Sequence, residues 1–168
     1  YRSAIAAGRA DAGLHGIRRL AHEHASSGLR TGERRSDERA RLVVTDQVLQ
    51  DLGRPVQTIV DARGGPRFRG EVEPLDPVAG HIPGALNRPF QGNLGPDGRF
   101  KAAEQLRAEY EQLLAGRDPA SVVHHCGSGV SAVPNLIAME LAGLGQAALY
   151  AGSWSEWCAD PARPVEKG

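Results

Sequence analysis

Residues 121–141 constrain the fold more than any other stretch. Ser121-Val122-Val123-His124-His125 reads as a strand, and the mostly apolar Ser131 to Leu141 reads as a helix buried on more than one side. Only Cys126-Gly127-Ser128-Gly129-Val130 lies between them. A strand that turns so abruptly into a helix belongs to an open sheet with helices packed on it. The flanking sequence repeats the alternation. Thr45 is suited to cap a short helix that ends before Gly53, and Gln57 to Asp61 is a β-branched strand running into Asp-Ala-Arg-Gly-Gly. Gly64 to Gly98 is dominated by glycine and proline and predicts loops. Ala102 to Leu114 predicts a helix with Leu106, Tyr110, Leu113 and Leu114 on one face, and Ala147 to Tyr150 predicts a third strand closed by Gly152. The expected class is α/β: a parallel sheet, helices on both faces, and a site loop at a strand C-terminal end.

Charge divides the chain. Lysine and arginine total 20 and aspartate and glutamate total 20, which excludes a polybasic nucleic-acid binder. Residues 1–42 nevertheless hold nine arginines against five acids, and few large apolar residues. Leu14, Ile17 and Ala21 make a narrow helical stripe, while residues 26–41 (SSGLRTGERRSDERAR) have no period. Residues 1–41 are therefore expected to be a basic extension, a linker or a domain remnant, and residues 42–168 one domain large enough for its own core. No aromatic residue lies between those arginines to stack on bases, so no nucleic-acid partner is expected. No apolar run reaches the ~18 residues a membrane span needs.

The chemistry concentrates at Cys126. A strand ending there delivers the thiol to the edge where α/β sheets bind ligands. The glycines at 127 and 129 let successive amides turn towards one point, backed by the positive end of the next helix. Such surroundings favour a nucleophilic thiolate, and equally an anion or a persulfide on that sulfur. A buried structural cysteine needs no Gly-Ser-Gly loop after it. Phosphate-monoester chemistry fits poorly, because it wants an arginine at the loop end and positions 131 and 132 are Ser and Ala. Cys126 and Cys158 alone build neither a disulfide framework nor a four-ligand zinc site. His22 and His24, like the pair His124–His125, lack partners at metal spacing, so no metal or cofactor is expected.

Cys126-Gly-Ser-Gly-Val-Ser131 resembles the active-site loop of the rhodanese family, whose mercaptopyruvate sulfurtransferase branch usually carries threonine at the last position. Gly80-His-Ile-Pro-Gly-Ala85 resembles that family's upstream signature, and Ala147 to Trp157 resembles its C-terminal one. Asp61-Ala-Arg63 and Arg67-Phe-Arg-Gly70 match in the same order. The resemblance implies a sulfurtransferase in which Cys126 carries sulfur as a persulfide from 3-mercaptopyruvate to a thiol such as thioredoxin, or to cyanide. It implies that Ser128 assists proton movement, that Arg67 holds the anionic end of the donor, and that Gly127, Gly129, Val130 and Ser131 line the substrate. Asp61, Arg63 and His81 read as structural, the first two as a buried pair tying the strand end to the loop, and Trp154, Glu156 and Trp157 as a packing and capping cluster. Cys158 has no counterpart in that family and is expected to be an inert, half-buried thiol.

Two other readings stay open: a thiosulfate sulfurtransferase on the same residues, and a non-catalytic rhodanese-like interaction module. The branch often places a second arginine after its Glu-Pro, whereas Glu73-Pro74 is followed here by Leu75 and Asp76. Enzymes with this loop usually precede it with a further rhodanese half, which predicts a more exposed Cys126 in this chain. A free reactive cysteine is expected to work in a reducing cytoplasm, away from membranes.

Overall fold

The computed structural model describes residues 41–168. Five parallel strands form one sheet in the order β1-β5-β4-β2-β3. They are β1 (Arg41–Val43), β2 (Thr58–Asp61), β3 (Leu86–Asn87), β4 (Val122–His125) and β5 (Ala148–Tyr150). Parallel strands joined in this order need crossovers, which α1 (Thr45–Gln50), α2 (Gly65–Phe68), α3 (Ala103–Leu114), α4 (Val133–Leu141) and α5 (Ser153–Trp157) help to supply.

The central pair sets the site. β4 lies between β5 and β2, with Val60 opposite His124 and Asp61 opposite His125. Every residue of β2 and β4 is buried, as expected for strands covered on both faces. On one face Leu106, Tyr110 and Leu114 of α3 pack with Ala138 and Met139 of α4 against Val60 and Val122. On the other, Val48 of α1 meets Trp154, Trp157, Ile82 and Val123. The expected helical stripe of α3 is thus the one buried, with Leu113 at its partly covered margin.

Both histidines of β4 are fully buried. Burial, reinforced by the charge of neighbouring His125, lowers the His124 pKa to about 3, and His124 Nε2 lies 3.1 Å from Met139 Sδ. Burial likewise pushes His125 down, with Asp61 opposing the shift. They are packed neutral side chains of the core.

Some expectations need correction. The cap of α1 is Val44, and Thr45 is already helical. The Thr45 hydroxyl is engaged elsewhere, 2.8 Å from the Tyr150 hydroxyl and donating to Glu156 Oε1 at 2.6 Å. The Gly- and Pro-rich stretch is mostly loop, yet it contains α2, β3 and a 3₁₀ turn at Phe90–Asn93. β1 begins at Arg41, inside the segment read as an extension, and pairs Arg41 with Ala148. The Leu14, Ile17 and Ala21 stripe, His22 and His24 lie outside the described residues. Among the described residues, no helix is long and apolar enough to cross a membrane.

Candidate active site

β4 ends at His125, and Cys126 therefore sits at the carboxyl edge of the sheet beside the end of β2. The thiol is recessed, only 2% exposed, which corrects the expectation of an open cysteine. The cause is local: Ala62 and Ala132 pack around it, with Phe90 and Leu149 against them.

The backbone of Cys126 is clamped from three directions. Its amide donates to Ser153 Oγ at 3.1 Å, and Ser153 Oγ donates onward to the Tyr150 carbonyl at 3.0 Å. Its carbonyl accepts from the Trp154 amide at 3.0 Å and from His125 Nδ1 at 3.1 Å. The Gly127 carbonyl accepts from the Ser155 amide at 2.9 Å. Ser153 performs this task from a left-handed conformation (φ +56°), an unfavourable geometry for serine that the two buried hydrogen bonds hold in place. Nothing in the spacing of residues marks Ser153 for this role. Its only signal is its neighbourhood, between Gly152 and a buried tryptophan.

Among the described residues, none of the amides of Gly127 to Ala132 donates to a protein acceptor. Consecutive free N–H groups at a helix start favour an anion. Gly129 makes the curl possible: its φ is +85°, and a Cβ there would lie 2.6 Å from the Ala151 carbonyl oxygen.

A pocket of about 310 Å³ opens above Cys126, at the small end of the usual range for ligand sites. Its walls come from Ala62, Arg63, Gly64 and Arg67, from Leu75 and Asp76, from Phe90 and Gln91, and from Ser155. Of the predicted loop residues, Gly127, Ser128 and Ser131 line it alongside Cys126. Gly129 and Val130 do not: Gly129 lies against Ala151, and the Val130 side chain is 73% exposed. A loop curled around its own amides turns those two positions away from the cavity.

Arg67 lines the same pocket. Its guanidinium nitrogens lie 3.5 and 3.6 Å from the point a Cβ on Gly127 would occupy. It is nevertheless ion-paired. Nε and Nη2 donate to Glu73 at 3.1 and 2.6 Å, and Nη2 reaches Asp76 Oδ2 at 3.3 Å. Glu73, which the sequence reading used only as a landmark, organises this wall. It also accepts from Arg63 Nη1 at 3.2 Å and from the amides of Leu75 and Asp76 at 3.1 and 3.2 Å. Burial pushes the Glu73 carboxyl up, but the Arg67 hydrogen bond and those two amides outweigh it and leave it below the usual range.

Arg63 binds Asp61 Oδ2 at 2.7 Å and the Gly80 carbonyl at 2.7 Å, and lies 4.7 Å over the Trp154 ring. It ties the end of β2 to the Gly-Pro-rich loop. His81 is a turn residue, with Nδ1 2.8 Å from the Phe68 carbonyl and its ring stacked on Phe68. Trp154 and Trp157 are fully buried, and Cys158 is buried rather than half-buried. Burial first, and then the charges of Asp76 and Glu73, raise the Cys158 pKa, which keeps that thiol protonated.

Fold and site together define an α/β domain with a recessed cysteine on an amide-rich loop. The rhodanese-like domain family model matches residues 44–160, and the chain belongs to that family. It is 52% identical over 150 residues to a protein of Pseudomonas aeruginosa named "Probable 3-mercaptopyruvate sulfurtransferase", covering 89% of this chain and 53% of that one. That match is longer than residues 42–168, so it takes in part of the first 41 residues. The 3-mercaptopyruvate sulfurtransferase of Escherichia coli is 39% identical over 125 residues, 73% of this chain and 43% of that one. Among solved structures, the Tum1 protein of Saccharomyces cerevisiae superposes with a TM-score of 0.65 at 31% identity, over 76% of this chain and 46% of that one. The chain spans about half the length of the curated relatives it matches.

Proposed function

We propose that this domain is a sulfurtransferase that takes sulfur from 3-mercaptopyruvate onto Cys126 and passes it to a thiol acceptor or to cyanide. The observation that carries the reading is the recessed Cys126 thiol beside loop amides that have no acceptor among the described residues, with the Arg67 guanidinium beside the same loop. The Cys126 thiolate attacks the donor sulfur. An S–S bond forms, the donor S–C bond breaks, and the electron pair leaves as the enolate of pyruvate. The enolate takes up the proton carried by the transferred sulfur and becomes pyruvate, with Ser128 at the pocket wall to relay it. The loop amides stabilise the persulfide anion that remains. An acceptor thiolate then attacks the outer sulfur, and Cys126 leaves as a thiolate.

Arg67 holds the donor carboxylate, while Gly127 and Ser131 frame the reacting group. The amides of Gly129 and Val130 contribute, but their side-chain positions do not. Residues 1–40 act as a linker or as the remainder of a neighbouring domain. Thioredoxin in the cytoplasm is the acceptor class that this exchange chemistry suits.

Intact mass after incubation with 3-mercaptopyruvate, and separately with thiosulfate, tests the reading. One added sulfur, removed by cyanide or thioredoxin and absent in Cys126→Ser, is expected. A greater gain from thiosulfate would reassign the donor. Retained loading in Cys126→Ser would remove the central claim. No gain from either donor, with Cys126 still alkylatable, would leave an interaction module.

A further inference from the structure

The two carboxylates on Arg67 are not equivalent. Glu73 is 3% exposed and committed to Arg63, Arg67 and two backbone amides, so it belongs to the framework. Among the described residues, the only partner of the Asp76 carboxylate is Arg67, at 3.3 Å, a longer contact than the 2.6 Å of Glu73. Asp76 also lines the pocket, next to Leu75, which is 78% exposed. On this wall two arginines, Arg63 and Arg67, face three carboxylates, Asp61, Glu73 and Asp76. An anion that approaches Arg67 therefore meets a guanidinium already matched, with surplus negative charge beside it.

We propose that Asp76 is a specificity-determining residue: it is an internal counter-ion on Arg67 that an anionic sulfur donor must displace, so the pocket favours singly over doubly charged donors. This rests on the reading that Arg67 holds the donor. Displacing Asp76 costs its ion pair and leaves a carboxylate close to the incoming anion. Attraction to the arginines and repulsion by the carboxylates both double for a dianion such as thiosulfate relative to the 3-mercaptopyruvate carboxylate, and with two arginines against three carboxylates the repulsive balance grows. Backbone amides at Cys126 can still receive the sulfur in either case. The discrimination lies at the far end of the donor.

Two readouts test it. In Asp76→Asn, which keeps the shape and the amide bond to Glu73, the KM for 3-mercaptopyruvate is expected to fall about fivefold with little change in kcat. The kcat/KM for thiosulfate is expected to rise by a larger factor. The second readout needs no turnover: alkylation of Cys126, located by peptide mapping, with anionic iodoacetate and neutral iodoacetamide. The iodoacetate-to-iodoacetamide rate ratio is expected to rise about fivefold in Asp76→Asn and Asp76→Ala. Arg67→Ala is expected to lower it and to erase the gain in the double variants. A ratio unmoved in both Asp76 variants, with Arg67→Ala still lowering it, overturns the role of Asp76 and leaves the Arg67 donor site standing. A ratio unmoved by Arg67→Ala overturns the donor-site reading itself.

Discussion

The pocket above Cys126 has two unlike walls. One is backbone: the amides of Gly127 to Ala132, without acceptors among the described residues. The other is side chain: Arg63 and Arg67, each ion-paired to carboxylates. The first is short of acceptors and ready for a guest with negative charge. The second has brought its own anions, and its hydrogen bonds hold loops together. Under the proposed reading, charge beside the sulfur is received by groups that cannot titrate, while Arg67 meets the far end of the donor and Arg63 fixes geometry.

Removing the keystone of the ion-paired wall should have the largest effect. Glu73→Ala leaves Arg63 and Arg67 short of a carboxylate and frees the amides of Leu75 and Asp76. A loss of about 3 kcal/mol in urea unfolding is expected, because a cation stripped of its buried partner costs more than the pair contributes. A change below ~1 kcal/mol would mean that this wall is not structural. On the amide wall, Gly129→Ala forces a Cβ to 2.6 Å from the Ala151 carbonyl in a left-handed residue. It should cost about 2 kcal/mol and reduce sulfur loading of Cys126 at least roughly tenfold by intact mass. Normal loading would separate the glycine from the cradle.

The strand under the amide wall supplies the mildest test. His124 has a folded pKa of about 3, set first by burial and then by His125. An unfolded histidine titrates near ~6.5, so between these values the unfolded chain binds the extra proton. Stability should be complete above that window and fall with decreasing pH, by about 1.4 kcal/mol per unit for this group. His124→Gln should flatten the slope between about pH 6.5 and 4.5, and an unchanged slope would assign it to other groups.

The core was legible where local signals agree. β2, β4 and α3 follow from β-branched runs and a helical apolar stripe, each bounded by a turn residue. The Cys126 loop follows from its glycines. β1 was not legible: its three residues include an arginine, two of them are exposed, and only pairing with β5 makes them a strand. α5 is five residues long and starts at a left-handed serine, which no helix-start signal describes. At the site, Arg67 could be found by resemblance, but its neutralisation by Glu73 and Asp76 depends on how residues 73–76 fold back. Ser153 escaped because its value lies in one hydrogen bond to a residue 27 positions away.

The clamp on Cys126 also fixes where delivery can happen. With its amide held by Ser153, its carbonyl by Trp154 and His125, and the next carbonyl by Ser155, this peptide cannot swing. Under the proposed reading, a sulfur carried on Sγ has only the reach of two side-chain torsions. On that reading, collection and hand-over share a single stationary berth at the bottom of the pocket, and a protein acceptor has to bring its thiol in on a protruding tip narrow enough to enter.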